Sequence, residues 1–315
     1  MSTTLYYASD IHGSDVLWRK FLNAAKFYEA DVLVMGGDIT GKAVVPVVDT
    51  GHGFRVEQVA NNELLDESQL PAVEKRIRDM GFYPYRMREA DLEAVLADKA
   101  AVDEVFRQVM RDSMTSWLHL AEERLAGTRV KLFVMIGNDD EPSLRDVIAS
   151  SPVAIDPEGQ AVDVGDGFTM YSCGWANPSP WNTPRELPDD QLEAHLEQLL
   201  VGLTSPERAI FNFHAPPYGT GLDRAPRLDA NLKPVVSGGQ IVMDSVGSHA
   251  VRAVILRYQP ALGLHGHIHE SRGIAKVGRT LCINPGSTYA EGVLHGALVT
   301  LDKKKGVRQH MLTSG

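Results

Sequence analysis

The stretch DVLVMGGD, Asp31 to Asp38, is a short apolar run closed by two glycines and a carboxylate. A run of this length, bounded by Gly and polar residues, reads as a buried strand rather than a helix. The same pattern recurs along the chain. Leu5 to Ala8 runs into Asp10 and His12 (SDIHG), and Lys131 to Ile136 into Asn138 (GNDD). Ile210 to Phe213 runs into His214 (NFHAPP), and Ala261 to Leu264 into His265, His267 and His269 (GHIH). In open α/β sheets ligands bind outside the carboxyl ends of the strands. Five such strands would deliver their polar tips to one rim.

The residue types at those tips select a chemistry. Carboxylate, amide carbonyl and imidazole without thiolate suit divalent ions such as Mn, Fe or Zn. Asp10, His12, Asp38, Asn138, His214, His267 and His269 are too many ligands for one tetrahedral ion. They fit two ions roughly 3.5–4 Å apart that share a carboxylate. Asp38 stands alone at its strand end and is the natural bridge.

In this order, DxH, GD, GN, a single His and GHxH, the chain resembles the calcineurin-like metallophosphoesterases, and the likeness extends from Asp10 to the turn Asn284-Pro285-Gly286-Ser287. Any one motif is weak, whereas the ordered set is specific. The resemblance implies an α/β fold, a four-layer α/β/β/α sandwich, here with a largely helical insertion. It implies Asp10, His12, Asp38 and His269 around one metal, and Asp38, Asn138, His214 and His267 around the other. The implied activity is hydrolysis of a small phosphate ester by hydroxide held between two divalent ions, Mn being the ion expected to serve in vitro. A phosphodiesterase is expected ahead of a phosphomonoesterase. A scaffold that keeps the fold without catalysis is the alternative of another class, and the complete ligand set speaks against it.

Two positions depart from the family. Many members have a His after the Asn that protonates the leaving group, and here Asp139 stands in its place; many have an Asp three residues after the bridging Asp, where this chain has Gly41. An ordinary Asp is ionised at pH 7, and nearby dications hold it so. Asp139 is therefore expected to orient neighbouring His residues while leaving groups of low pKa depart unaided. Of the other imidazoles, His52, His119, His195, His249, His295 and His310 read as surface or packing residues, and His265 as a neighbour of the ligands or a buried group.

At 315 residues the length allows two domains, yet motifs spread from end to end favour a single domain, 1–315, with an insertion at 42–89 that forms a cap or an oligomer contact. Within it, Ala43 to Val48 and Phe54 to Val59 suggest a hairpin, and Gln69 to Met80 a helix ended by Gly81. Arg76, Arg78, Arg86 and Arg88 gather around Phe82, Tyr83 and Tyr85. One or two of these guanidinium groups, if not merely solvated, would reach over the metals to a phosphate. Beyond the insertion, Asp91 to about Ala126 predicts one long helix or two with a break, Asp190 to Leu200 a surface helix and Val246 to Tyr258 a helix leading back to the GHIH strand; Tyr171 to Trp181 reads as a loop that either borders the site or turns a structural corner, and Tyr218 to Asp223 as a loop expected to line the site.

With 31 Lys and Arg against 41 Asp and Glu, the chain carries a formal charge of −10. Affinity for duplex nucleic acid rests on Lys and Arg contacts, so such a partner is not expected. The start MSTTLYYASD lacks the basic and apolar pattern of a signal peptide, no run approaches a membrane span, and Cys173 and Cys282 do not make a disulfide framework. A cytoplasmic protein is expected.

Overall fold

The computed structural model describes residues 2–56 and 64–315. Its main body is two six-stranded sheets. In the first, Gly306–Ser314, His295–Asp302, Ser2–Ala8, Val32–Gly36, Lys131–Met135 and Ala154–Ile155 lie side by side in that order. In the second the order is Gly273–Val277, Thr280–Asn284, Leu262–Leu264, Ala209–Phe213, Phe168–Cys173 and Ala161–Gly165. The central strands of each sheet are parallel; antiparallel strands close both edges of the second sheet and one edge of the first, whose other edge strand, Ala154–Ile155, is parallel. Parallel central strands are buried on both faces, which is why they read as unbroken apolar runs.

The apolar residues divide into three stacked cores. Leu5, Tyr7, Val34 and Phe133 of the first sheet meet Phe168, Ile210, Leu264 and Ile283 of the second. On the outer face of the first sheet, Tyr6, Leu33, Met35 and Val134 pack with residues of the helices Asp15–Phe27, Lys99–Leu125 and Leu144–Ala149. On the outer face of the second, Tyr171, Phe211 and Phe213 pack with Leu192, Leu196, Val251 and Val254 of the helices Asp189–Leu199 and His249–Tyr258.

Between the Val32–Gly36 strand and the Lys99–Leu125 helix lies a smaller sheet. Val44–Asp49 pairs in parallel with Tyr83–Arg88 and antiparallel with Phe54–Arg55, which pairs with Leu64–Leu65. The hairpin is thus present as far as the described residues extend; the part expected at 57–59 lies outside them. Val45 and Val47 alternate inward onto Leu70 and Ile77 of the Leu70–Asp79 helix. Among the described residues of 42–88, helix is confined to that element and a single 3-10 turn, Glu67–Gln69, and the other regular structure is strand. The β-branched runs decide this against the largely helical expectation.

Further on, the long helix is two, Glu89–Ala97 and Lys99–Leu125, broken at Asp98, whose side chain accepts from the Ala100 amide as the second helix starts. The loop expected from Tyr171 starts later, at Gly174, since Tyr171 to Cys173 finish a buried strand. The last helix likewise starts at His249, capped by Ser248, after Met243–Ser245 has paired as a strand with Arg224–Pro226.

Candidate metal centre

The register of the first sheet brings three motifs level. Ala8 is opposite Met35 and Gly36 opposite Met135, so Asp10, Asp38 and Asn138 leave their strands together. In the second sheet Asn212 is opposite Leu264, so His214 and the Gly266–His269 segment leave together. The two sheets then present these tips to each other at one end of the sandwich.

Three overlapping groups of potential ligands result, Asp10 with His12 and His269, Asp38 with His214 and His267, and His12 with Asp38 and Asp139, each with ligand atoms within 4.8 Å of one another. Asp38 faces both of the first two. Its Oδ1 lies 3.4 Å from His214 Nε2 and its Oδ2 3.9 Å from His12 Nε2. Asp10 Oδ1 is 3.4 Å from His269 Nε2 and 3.8 Å from His214 Nε2, while His12 and His269 bring their Nε2 atoms to 3.0 Å. Asn138 joins through its neighbour, since the Asp139 amide donates to Asp38 Oδ1 at 3.1 Å. Its Nδ2 donates to Thr183 Oγ1 at 2.7 Å, which leaves the buried carbonyl Oδ1 unpartnered.

The pocket is rich in acceptors and short of donors. Asp10, His12, Asp38, Asn138 and His214 are each at most 4% exposed, and His214 Nε2 makes no hydrogen bond although its Nδ1 lies 2.9 Å from the Gly36 carbonyl. Converging carboxylates and imidazole lone pairs require positive charge, so the donor set fits a divalent cation of borderline hardness. Electrostatics within the protein say the same. Burial disfavours charge on every group, yet Asp38 and Asp10 hold a proton on His214, raising it to about 9. Asp10 overcomes the same burial through His269 and His214 and falls to about 2, whereas burial alone dominates at His12, pushed down to about 3, and at His267, pushed down to about 4.

Backbone strain is concentrated here as well. Asp10 (φ 57°), His12 (φ 39°), Asp38 (φ 49°) and His267 (φ 68°) all occupy the left-handed region. Non-glycine residues held there cost on the order of 1 kcal/mol or more each and persist when the surroundings over-determine them. The surroundings are visible. Asp140 accepts from the amides of Gly137, Ile39 and Thr40 and from the Thr40 hydroxyl, which ties the GGD and GNDD turns together. The His267 amide donates to both oxygens of Asp10, at 3.0 and 3.1 Å. Asn284 donates to the Gly266 and Ile268 carbonyls, and Ser287 donates to the Asp10 carbonyl at 2.6 Å. The glycines of the motifs are spacers: a Cβ on Gly137 would lie 2.1 Å from Asp38 Oδ1, and one on Gly266 would lie 2.3 Å from Asp10 Oδ2.

His265 is buried and points away from the ligands, its Nδ1 2.8 Å from the Phe213 carbonyl and 3.1 Å from that of Ala215. It therefore braces the strand exit on both sides of His214. The loop that follows Cys173 also supports the site, since Arg185 reaches the Ile136 and Gly137 carbonyls and pairs with buried Glu158. Tyr218 to Asp223, by contrast, closes on itself, with Asp223 accepting from the amides of Gly219, Thr220 and Gly221.

The cluster of arginines does not reach the centre. Arg86 pairs with Glu74 at 2.5 Å and Arg88 with Asp91 at 2.7 Å, Arg78 lies 3.7 Å from Asp15, and Arg76 is exposed. Carboxylates on neighbouring helices lie beside Arg86, Arg88 and Arg78. The cation beside the centre is instead Lys42, whose Nζ lies 3.0 Å from Asp139 Oδ2. Asp139 thus faces a lysine as well as the His12 side of the centre. Sequence reasoning also passes over Tyr289, whose ring centroid lies 4.7 Å from that of His12 and 5.9 Å from that of His269. A lysine at the head of the insertion, four residues after Asp38, is a signal that the sequence does carry. Beside His269 opens a cleft of about 490 Å³ lined by Arg272, Ser287, Thr288, Tyr289 and His295 among others.

No protein-family model matches the chain. A curated relative, the uncharacterized protein MJ1162 of Methanocaldococcus jannaschii, is 28% identical over 151 residues, 47% of this chain and 61% of that protein, so the match spans less than two thirds of the relative's length. The crystal structure of TT1561 of Thermus thermophilus is similar at a TM-score of 0.52 and 15% identity, over 100% of this chain and 99% of that one. Another crystal structure is similar at a TM-score of 0.57 and 17% identity over 99% of both chains. The fold is shared with these proteins.

Proposed function

We propose that this chain, which has the metallophosphoesterase fold, is a hydrolase of phosphate esters that works with two divalent metal ions and prefers a small diester. One observation carries the reading: Asp38 offers one carboxylate oxygen to each of two ligand groups, toward His12 at 3.9 Å and toward His214 at 3.4 Å. Asp10, His12, Asp38 and His269 would hold one ion, and Asp38, Asn138, His214 and His267 the other. Ions bound there would supply positive charge to the phosphoryl oxygens and activate water. The chain's own residues fix the geometry. His214 is aligned through Gly36, Asn138 through Thr183, and Asp10 through the His267 amide.

The substrate, on this reading, is a small ester that diffuses in the cytoplasm. A net charge of −10 is unfavourable for duplex nucleic acid, and among the described residues no helix is long and apolar enough to cross a membrane. The segment 42–89 serves as a cap or as the contact with a second copy of the chain.

Chelator-treated protein reloaded with Mn, assayed on bis(p-nitrophenyl) phosphate and p-nitrophenyl phosphate, tests this directly. Hydrolysis restored by Mn and faster on the diester is the expected result. Faster turnover of the monoester would make it a phosphomonoesterase. Two bound ions with no turnover of either ester would make it a scaffold.

A further inference from the structure

We propose that Lys42 is the phosphate-binding cation of this centre and that Asp139 positions it; the inference rests on the phosphoesterase reading above. The place of Lys42 is set by its backbone. Ile39 and Thr40 are held by Asp140, the Ile39 carbonyl accepts from Gly13, and the Gly41 amide donates to the Tyr83 hydroxyl at 2.8 Å. Lys42 therefore leaves a fixed loop within four residues of Asp38. Its ammonium meets Asp139 Oδ2 at 3.0 Å, and the Asp139 carboxylate lies within 4.8 Å of ligand atoms of both His12 and Asp38.

The pairing answers a difficulty posed by the sequence. A carboxylate at position 139 stands beside the place where an anionic ester would sit, and alone it would repel that ester. Lys42 cancels this charge and, with three N–H donors and one turned to Asp139, keeps two for phosphoryl oxygens. The ammonium is open to a ligand, since the Lys42 side chain is 49% exposed while that of Asp139 is 26% exposed. The arginines expected in this role are paired with Glu74 and Asp91 on the small sheet and its flanking helices.

The test uses the full chain loaded with Mn, inorganic phosphate as ligand measured by calorimetry, and Mn content determined in parallel. Lys42→Met should weaken phosphate binding at least about tenfold, equivalent to about 1.4 kcal/mol, with Mn content unchanged. Lys42→Arg should retain most of the affinity, which separates a charge effect from misfolding. Adding Asp139→Asn to Lys42→Met should recover part of the loss, because the carboxylate left without its counter-ion no longer repels the anion. Native phosphate affinity in Lys42→Met would overturn the proposal. So would loss of Mn from Asp139→Asn alone, which would make Asp139 a metal ligand. Should the native protein hold Mn and bind phosphate yet hydrolyse neither nitrophenyl ester, the hydrolase reading fails, while the Lys42 comparison still decides how phosphate is held.

Discussion

The rim of the two large sheets and the small sheet between Val44 and Arg88 are built by opposite rules. At the rim, polar side chains are buried, four of the candidate ligands hold a left-handed backbone, and acceptors outnumber the donors that reach them. In the small sheet, the apolar residues alternate inward, the charges pair at the surface, and no described non-glycine residue has a positive φ. One region is held in an unfavourable state by its surroundings, the other is at rest. Strain of this kind survives where something is gained from it, and on the function proposed above a bound cation would be that gain.

The comparison breaks first at Asp38. Asp38→Asn should lower the turnover of bis(p-nitrophenyl) phosphate by about a hundredfold or more and release at least one ion, because a neutral amide joins two cations poorly. Two retained ions with near-native turnover would show that Asp38 is not the shared ligand. Metal analysis and steady-state kinetics on one preparation decide this.

A smaller loss should follow from Gly137→Ala, which leaves every ligand in place. The new methyl would fall 2.1 Å from Asp38 Oδ1, so the carboxylate or the turn must move. We expect destabilisation of about 1–3 kcal/mol by denaturant titration and at least tenfold weaker Mn binding. Native Mn affinity in this variant would mean that the centre tolerates a shifted Asp38.

Proton release sharpens the comparison further. Because its carboxylate neighbours raise it to about 9, metal-free His214 is protonated at pH 7.5, and a metal takes only the neutral imidazole. Mn binding should therefore release a proton and tighten as pH rises toward about 9. Calorimetry in buffers of different ionisation enthalpy measures the number released, and His214→Gln should remove that contribution. An unchanged proton count in the variant would place the released proton elsewhere.

The smallest effects belong to the small sheet. Arg86→Ala and Arg88→Ala remove exposed ion pairs, and such pairs contribute little to stability. Melting temperature should shift by no more than about 2 °C, and Mn content should be unchanged. A large loss of phosphate affinity in either variant would move the phosphate-binding role from Lys42 to an arginine.

Much of the rim is legible because strand ends are local events. Each apolar run and its closing Gly and polar residues lie within ten positions, so Asp10, Asp38, Asn138, His214 and the GHIH segment can be located from sequence, and the structure brings them together. What escapes depends on distant pairing. Nothing near Asp140 reveals that it takes up the amides of Ile39 and Thr40 across a hundred residues. The arginine cluster looks available because Glu74 meets Arg86 only when the small sheet packs on its helix, whereas Asp91, three residues past Arg88, is a local partner. Position 139 reads locally as a partner for histidines, and its meeting with Lys42 follows from how the loop after Asp38 is tied down.

That loop has one further consequence. The chain passes Gly41 on its way into the strand Val44–Asp49 and Gly81 on its way into the strand Tyr83–Arg88, and the two glycines touch: a Cβ on Gly41 would lie 2.2 Å from the Gly81 carbonyl, and one on Gly81 would lie 2.3 Å from that of His12. An excursion that departs and returns through a single point can grow or shrink without shifting its anchor, since closing a longer loop costs only slightly more. The doorposts, Gly41 and Gly81, answer to His12, and Lys42 stands directly behind one of them, so the far end of the excursion can change length while that cation keeps its place.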